Sequence, residues 1–324
     1  MFVRIALFTL LAFQLAGCNG FTDWVYDTAL SVERNRAGLI STSLSTDDGI
    51  DWFYLHSADS QNLDPIFLIH GFSADSSNWL RFVNELEGEY NFIVPDLPGH
   101  GETTRTLSLD YSIGRQAERV LNLANALGIE KFHIAGNSMG GAISLAVALQ
   151  APERVRSLGL IDSAGITLPT PEFLALLGDV NTNPLIPHSA EDMFITMDWA
   201  MADPPWMPDF FVMHMGQLKA DNAAVAEKVY HDINASLQMR DRLAEIVAPT
   251  LILWGAEDRL LGVDNAAVFD ENIRNSRAVI LEGIGHVPMA EAAAKSADVF
   301  RPFWQEADTH ANEQLSLTEA APRD

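Results

Sequence analysis

The stretch HIAGNSMGGAIS, residues 133–144, places one serine, Ser138, between closely spaced glycines. The apolar run KFHIA (131–135) precedes this serine and a helix-like run follows it. This order of strand, turn and helix is typical of a nucleophile elbow, in which the serine stands on a sharp turn at the edge of a sheet. Gly136 and Gly140 fit that interpretation, because side chains at such a turn would collide with neighbouring backbone. The stretch predicts a nucleophilic serine on an α/β sheet.

Short apolar runs bounded by Gly, Pro and Asp alternate with longer amphipathic stretches from Ile50 onward. Such runs are typical of strands buried on both faces, and the stretches between them predict helices that connect parallel strands. The predicted fold class is therefore α/β, a mostly parallel sheet with helices on both faces. The predicted strands lie at 50–56, 65–71, 91–99, 131–136, 155–163, 250–258 and 277–286.

The alternation stops between residues 166 and 240, where the sequence reads as helices and contains most of the methionines. We interpret 166–240 as a helical cap inserted between two parts of the core, 47–165 and 241–305. Flexible apolar side chains on one face of such a cap predict a pocket for an acyl chain. The alternative is that these side chains simply pack the cap onto the core. The residues predicted to contact substrate are Met193, Met197, Trp199 and Trp206.

Two further segments flank the predicted core. Residues 18–46 mix basic and acidic side chains, and we interpret them as a tether with an N-terminal helix. Residues 306–324 lack strong apolar periodicity and predict a disordered tail.

The first 17 residues have the layout of an export signal, with one cation, Arg4, an apolar run and then small residues. The sequence LAGC at 15–18 resembles the lipobox of bacterial lipoproteins, which implies cleavage before Cys18 and lipidation of its thiol. Cys18 is the only cysteine, so it has no partner for an intramolecular disulfide. Asn19 follows it, where an aspartate would indicate retention at the inner membrane. We expect an exported protein, lipid-anchored in the bacterial envelope at the outer membrane; an ordinary signal peptide is the alternative.

The formal net charge is −24, from 20 basic and 44 acidic residues that are spread along the chain. A protein that binds nucleic acid needs a basic surface, so no nucleic-acid partner is expected. The acidic excess predicts a self-repelling, well-solvated surface.

A serine hydroxyl needs a base to take its proton, and the base needs a carboxylate to hold its tautomer. His286 follows the last predicted strand in LEGIGHVPMAE (281–291), and Asp258 ends the strand before it. The chain order Ser138, Asp258, His286 is the order that strand-turn-helix serine hydrolases use. Asp162, at the end of an earlier strand, is the alternative acid.

A tetrahedral oxyanion needs backbone N–H donors beside the nucleophile. One donor is predicted at Met139, the residue after the serine. The second is predicted at Phe72, which follows His70 and Gly71 in the loop FLIHGFSAD (67–75).

Across residues 50–304 the chain resembles the α/β-hydrolase superfamily, through the blocks HGFSADSSNW, PDLPGHGET, GNSMGG, PTLILWGAEDRLL and GIGHVPMAE. Within it, the combination is similar to the bacterial lipolytic family V lipases and esterases and to the monoacylglycerol lipases. This resemblance implies hydrolysis of an apolar acyl ester or glyceride by Ser138, Asp258 and His286, with no metal or organic cofactor.

Three alternatives remain open at this point. Carbon-carbon bond hydrolases and cofactor-free haloperoxidases of the same fold also carry the serine. A non-catalytic, lipid-binding envelope lipoprotein on this fold is the alternative from another class. Haloalkane dehalogenases and epoxide hydrolases have an aspartate at the elbow, which Ser138 excludes.

Overall fold

Eight strands form a single sheet in the order β1-β2-β4-β3-β5-β6-β7-β8 in the computed structural model, which describes residues 18–58, 63–166, 169–178 and 183–319. The pairs β1/β2 and β2/β4 are antiparallel, and all later neighbours are parallel. The predicted α/β class is confirmed. The strands are β1 Leu39–Ser45, β2 Asp51–Ser57, β3 Pro65–Ile69, β4 Asn91–Pro95, β5 Phe132–Asn137, β6 Val155–Ile161, β7 Thr250–Gly255 and β8 Ser276–Leu281.

Helices cover both faces of this sheet. Those of the core are α1 Cys18–Arg36, α2 Leu80–Asn84, α3 Ile113–Ala126, α4 Met139–Gln150, α9 Asp264–Asn272, α10 Pro288–Glu291 and α11 Ala293–Glu319. Four more lie between β6 and β7, in the segment predicted as a cap: α5 Pro171–Gly178, α6 Asp192–Ala200, α7 Asp209–Ala220 and α8 Ala223–Asn234. Two short 3₁₀ helices, Ser76–Trp79 and Arg240–Glu245, complete the described elements.

The central strand β5 shows why the sheet is buried on both faces. Its residues alternate between two apolar clusters: Ile134 belongs to the cluster that includes α3 and α4, whereas Ala135 belongs to the cluster that includes Phe300 and Trp304 of α11. All six β5 residues are buried. A strand with apolar neighbours on both sides reads as a continuous apolar run, which is the pattern of its sequence.

The segment 18–46 differs in part from the predicted tether. Its first half is the helix α1, which packs on α7 through Tyr26 and Phe211, with ring centroids 4.8 Å apart. Its second half contains the edge strand β1, paired with β2 along its whole length. The sequence LISTSLS of β1 is largely polar because most of these side chains are not buried, so no apolar run marks it. No helix among the described residues combines the length and apolar character needed to cross a bilayer.

Residues 306–319, predicted as part of a disordered tail, continue the helix α11 in the structure. Ala307 is buried, and the Oδ1 atom of Asp308 lies 2.9 Å from the Nε2 atom of His133 on β5. Ala307 and Asp308 thus connect the start of this segment to the core. The remaining residues, 320–324, and the predicted signal peptide, 1–17, lie outside the described residues.

Candidate active site

Ser138 stands on a strained turn between β5 and α4. Its backbone has φ 55° and ψ −119°, which places a non-glycine residue in the left-handed half of conformational space. A Cβ atom added at Gly136 would lie 2.1 Å from the carbonyl oxygen of Gly140, and one added at Gly140 would lie 2.2 Å from that of Ile69. Both positions therefore require glycine, and the turn holds the serine side chain clear of the strand and helix that flank it.

Asp258 and His286 form a buried hydrogen-bonded pair. The Nδ1 atom of His286 lies 2.7 Å from the Oδ2 atom of Asp258, while Oδ1 accepts the N–H groups of Leu260 at 2.8 Å and Leu261 at 3.0 Å. The carboxylate can only accept at this contact, so His286 carries its proton on Nδ1. The lone pair of Nε2 is then free to act as a base.

The backbone of His286 joins the elbow to the cap. The side-chain amide of Asn137, the residue before Ser138, donates to the carbonyl oxygen of His286 at 2.9 Å. The N–H of His286 in turn donates at 2.9 Å to the carbonyl oxygen of Ala200, the last residue of α6. These two bonds fix the position of the imidazole relative to both the serine and the cap.

The Glu291 carboxylate strengthens the same junction. It accepts N–H groups from Gly285 at 2.9 Å, Asp203 at 2.9 Å and Ala202 at 3.3 Å. One side chain therefore binds both the loop that carries His286 and the residues that follow α6.

Asp162, the alternative acid, lies at the end of β6 and is completely buried. Its Oδ1 atom accepts the N–H of Gly255 at 3.0 Å, and its Oδ2 atom has no hydrogen-bond partner among the described residues. Burial, reinforced by the nearby charge of Asp258, raises the pKa of Asp162 well above its usual value. The carboxylate hydrogen-bonded to His286 is that of Asp258, not that of Asp162.

The loop after β3 approaches the serine closely. A Cβ atom added at Gly71 would lie 3.3 Å from the Cβ atom of Ser138 and 3.0 Å from the Oδ1 atom of Asn137. Phe72 follows Gly71 and lines the same cavity as Ser138 and Met139. The two predicted oxyanion donors are thus brought to either side of the serine.

His70 fixes the peptide group that carries the N–H of Phe72. Its Nδ1 atom lies 2.8 Å from the carbonyl oxygen of Gly71, and its Nε2 atom lies 2.9 Å from the N–H of Leu97. Nε2 must accept from Leu97, so Nδ1 donates to Gly71 and the ring is neutral; burial lowers the pKa of His70 accordingly. The C=O and N–H of a trans peptide point in opposite directions, so the bond to Gly71 also sets the direction of the Phe72 N–H.

A cavity of about 370 Å³ opens beside Ser138 and His286. Its described walls are mainly apolar, and its few polar groups include Ser163, Asn234 and Asn265. Such a cavity suits an uncharged, elongated apolar group placed against the serine hydroxyl. The apolar side chains that line it include Phe173, Leu174, Leu177, Leu185, Tyr230, Ile233, Leu237, Leu260 and Leu261.

The four cap residues predicted to bind substrate do not line this cavity. Met193 and Met197 are buried against Val212, where they pack α6 on α7. Trp199 lies outside the wall, with its ring 6.0 Å from that of Phe173 and 4.3 Å from the Arg259 guanidinium. Trp206 is 86% exposed. The methionine spacing identified a buried face of α6 but could not show which element covers it, and substrate contact by these four residues stays a prediction.

The cavity walls that sequence reasoning missed come mainly from α5, α8 and the loop after Asp258. Phe173, Leu174 and Leu177 of α5 follow the spacing of one helix face, so their periodicity indicates a buried face. Tyr230 and Ile233 of α8 carried a similar signal. Nothing in their spacing distinguishes a face that lines a cavity from one that packs on the core.

Two groups of described side chains bring metal-ligand atoms within 4.8 Å of one another. The first is Asp64, His133 and Asp308, where Arg156 already forms an ion pair with Asp64 at 3.0 Å and supplies positive charge. The second is Asp162, Asp258 and His286, in which the Oδ1 atom of Asp162 accepts from Gly255 and Asp258 is hydrogen-bonded to His286. The expectation of no cofactor therefore stays a prediction.

A mostly parallel sheet that presents a serine on a strained turn after its central strand, with an acid and a histidine from later loops, defines an α/β hydrolase. The chain belongs to this family, and the family model for the alpha/beta hydrolase fold matches residues 64–213. The family resemblance found in the sequence is thereby confirmed.

Individual relatives are similar over most of the chain. Lipase 1 of Psychrobacter immobilis is 32% identical over 93% of this chain and 96% of its own. A monoacylglycerol lipase of Xenopus laevis is 34% identical over 75% of both chains. The crystal structure of a membrane phospholipase A, described as a bacterial virulence factor, superposes with a TM-score of 0.87 at 33% identity, covering 94% of this chain and 98% of that one.

Proposed function

We propose that the protein is a serine hydrolase that cleaves carboxylic esters with an apolar acyl chain, in the manner of a lipase or esterase. The observation that carries the proposal is the buried hydrogen bond between Asp258 and His286 at the wall of the cavity that Ser138 faces. The similar proteins named lipase and monoacylglycerol lipase support the same activity.

The reaction proceeds through an acyl-enzyme. The Ser138 hydroxyl attacks the ester carbonyl as the Nε2 atom of His286 takes its proton, and Asp258 stabilises the resulting imidazolium. The tetrahedral oxyanion accepts hydrogen bonds from the N–H groups of Phe72 and Met139. His286 then returns the proton to the departing alcohol. Water, activated in the same way, attacks the acyl-enzyme and releases the carboxylic acid and free Ser138.

The expected size of each contribution follows from general enzymology. A positioned general base contributes about 10²–10⁴ in rate, and one oxyanion donor about 10²–10³. Loss of the nucleophile removes the covalent route itself, so it should be the most damaging single change.

The experiment is hydrolysis of p-nitrophenyl esters of increasing acyl length by the wild type, by Ser138→Ala and by Ser157→Ala. Ser157 is a matched control, because it is a buried serine hydrogen-bonded to His133 rather than part of the cavity wall. We expect Ser138→Ala to lose nearly all activity and Ser157→Ala to retain it. More than a few per cent of activity in Ser138→Ala would show that another group is the nucleophile.

Two further measurements separate the alternatives. A fluorophosphonate probe should label the wild type and leave Ser138→Ala unlabelled; failure to label the wild type would favour a non-catalytic, lipid-binding role. Faster turnover of a vinylogous diketone, or of halide with peroxide, than of any ester would favour a carbon-carbon bond hydrolase or a haloperoxidase.

We also propose that the protein is exported and held in the bacterial envelope, at the outer membrane, by a lipid on Cys18. The apolar run before Cys18 and the resemblance of LAGC to a lipobox support this proposal. Labelled palmitate should enter the wild type and not Cys18→Ser, and fractionation should place the labelled protein with the outer membrane. Equal labelling of both proteins would contradict the anchor.

A further inference from the structure

We propose that Asp162 is a positioning residue that remains protonated and donates its proton to the Asp258 carboxylate, so that the two buried acids hold one negative charge between them. The inference rests on the proposed function, because it takes Asp258 as the acid that orients His286.

The two carboxyl groups lie at the ends of neighbouring strands, Asp162 directly after β6 and Asp258 in the loop after β7. One oxygen of each and a ring nitrogen of His286 all lie within 4.8 Å of one another. Asp162 is completely buried and Asp258 is 5% exposed. Two carboxylates that are this close and shielded from water do not both ionise. The pair therefore holds one proton.

The hydrogen-bond donors around each group decide where that proton resides. Asp258 receives three donors, the N–H groups of Leu260 and Leu261 and the Nδ1–H of His286. Asp162 receives one, the N–H of Gly255, on Oδ1. Its Oδ2 atom is buried and receives no donor from the part of the chain that the structure describes, so a negative charge there would be unpaired. The proton accordingly belongs on the Oδ2 atom of Asp162, with Asp258 as its acceptor.

Burial and the charge of Asp258 raise the pKa of Asp162 well above its usual value, in agreement with this placement. Among the residues that the structure describes, the charged or titratable groups near Asp162 are Asp258, His286 and Glu291. Glu291 accepts three backbone N–H groups of its own, from Gly285, Ala202 and Asp203.

The backbone fixes the direction in which Asp162 points. The residue has φ 43°, a left-handed conformation that a side chain disfavours, and its N–H donates to the carbonyl oxygen of Leu253 at 3.0 Å. A donor held this rigidly restrains the rotamer of Asp258. The role of Asp162 is thus to keep the acid aimed at the Nδ1 atom of His286.

The test compares Asp162→Asn with Asp162→Ala. In Asp162→Asn the amide oxygen can accept from Gly255 and the NH₂ group can donate to Asp258, as the protonated acid does. We expect Asp162→Asn to keep kcat within about threefold and to leave the acidic limb of the kcat/KM profile against pH unchanged. We expect Asp162→Ala, which removes a hydrogen bond to a charged group, to lose about tenfold or more in kcat. Asp308→Asn is the control for loss of a carboxylate far from Ser138.

Two results would overturn the proposal. If Asp162→Asn moves the acidic limb to lower pH, the wild-type residue carried a charge that acted on His286. If Asp162→Asn loses as much activity as Asp162→Ala, a neutral donor is not what the site needs.

A second readout does not depend on hydrolysis. Infrared spectra of Ser138→Ala at neutral pH should contain the carbonyl band of a buried protonated carboxylic acid, and Ser138→Ala combined with Asp162→Asn should lack it. No difference between the two spectra would contradict a protonated Asp162. If instead Ser138→Ala retains full esterase activity, the proposed function fails on its own, whatever the spectra show.

Discussion

Replacing Asp258 by asparagine should damage catalysis mainly by inverting the tautomer of His286. The Oδ1 atom of Asp258 accepts two backbone N–H groups, at 2.8 and 3.0 Å. The amide oxygen of an asparagine must take that position, which directs its NH₂ group at the Nδ1 atom of His286. Nδ1 then has to accept, so the proton moves to Nε2, the atom that should act as the base. The Leu260 and Leu261 N–H groups thus enforce the unproductive tautomer.

The expected loss in kcat is about 10⁴-fold, the size that tautomer inversion produces in a serine hydrolase triad. Asp258→Ala removes the charge but does not dictate a tautomer, because no amide donor faces Nδ1. We therefore expect Asp258→Ala to be no worse in kcat than Asp258→Asn, although it should be less stable because two buried N–H groups lose their acceptor.

The assay is steady-state hydrolysis of a soluble p-nitrophenyl ester, with urea unfolding of each variant to confirm that it is folded. The ring nitrogen protons of His286 can be followed by NMR in the same samples. An Asp258→Asn variant that keeps more than about a tenth of wild-type kcat would refute the reasoning, since the tautomer effect alone should cost far more.

Four other substitutions have defined outcomes. His70→Ala frees the peptide group before Phe72 and should lower kcat on the same ester about tenfold with little change in KM; an unchanged kcat would contradict the positioning role. Leu177→Trp should shorten the acyl chain that the enzyme prefers in a chain-length series of soluble esters. Trp206→Ala should leave that chain-length preference unchanged. The raised pKa of Asp162 in the native state makes the free energy of unfolding of the wild type fall as pH rises above about 4. Asp162→Asn should therefore gain stability relative to the wild type between about pH 4 and 7 in urea titrations. A difference that stays constant over this range would contradict the raised pKa.

The parts of the fold that sequence analysis predicted are those where local pattern and tertiary context agree. β5 is buried on both faces, which gives its sequence a continuous apolar run. A Cβ atom added at Gly136 or Gly140 would lie 2.1 or 2.2 Å from a backbone oxygen, so both positions are glycine in the sequence. The edge strand β1 left none, because an exposed strand needs few apolar side chains. The helix at 306–319 was missed for a related reason, since the Ala307 side chain and the contact between Asp308 and His133 leave no apolar period in the sequence.

The candidate site divides in the same way. Ser138, Asp258 and His286 could be selected because chain order and strand ends constrain them. The lining of the cavity could not be selected, because helical periodicity shows that a face is buried but not what it faces. The protonation of Asp162 could not be predicted either. It depends on the distance to Asp258 and on which atoms lack hydrogen-bond donors, and local sequence determines neither.

The junction around Glu291 and His286 links the cap mechanically to the loop that carries His286. The end of α6 is bonded to the loop that presents the imidazole, so lifting this side of the cap would pull the base away from the serine. A cap movement that keeps the base beside the serine must therefore leave these hydrogen bonds in place. The alignment of His286 with Ser138 thus depends on where the cap sits as well as on the sheet.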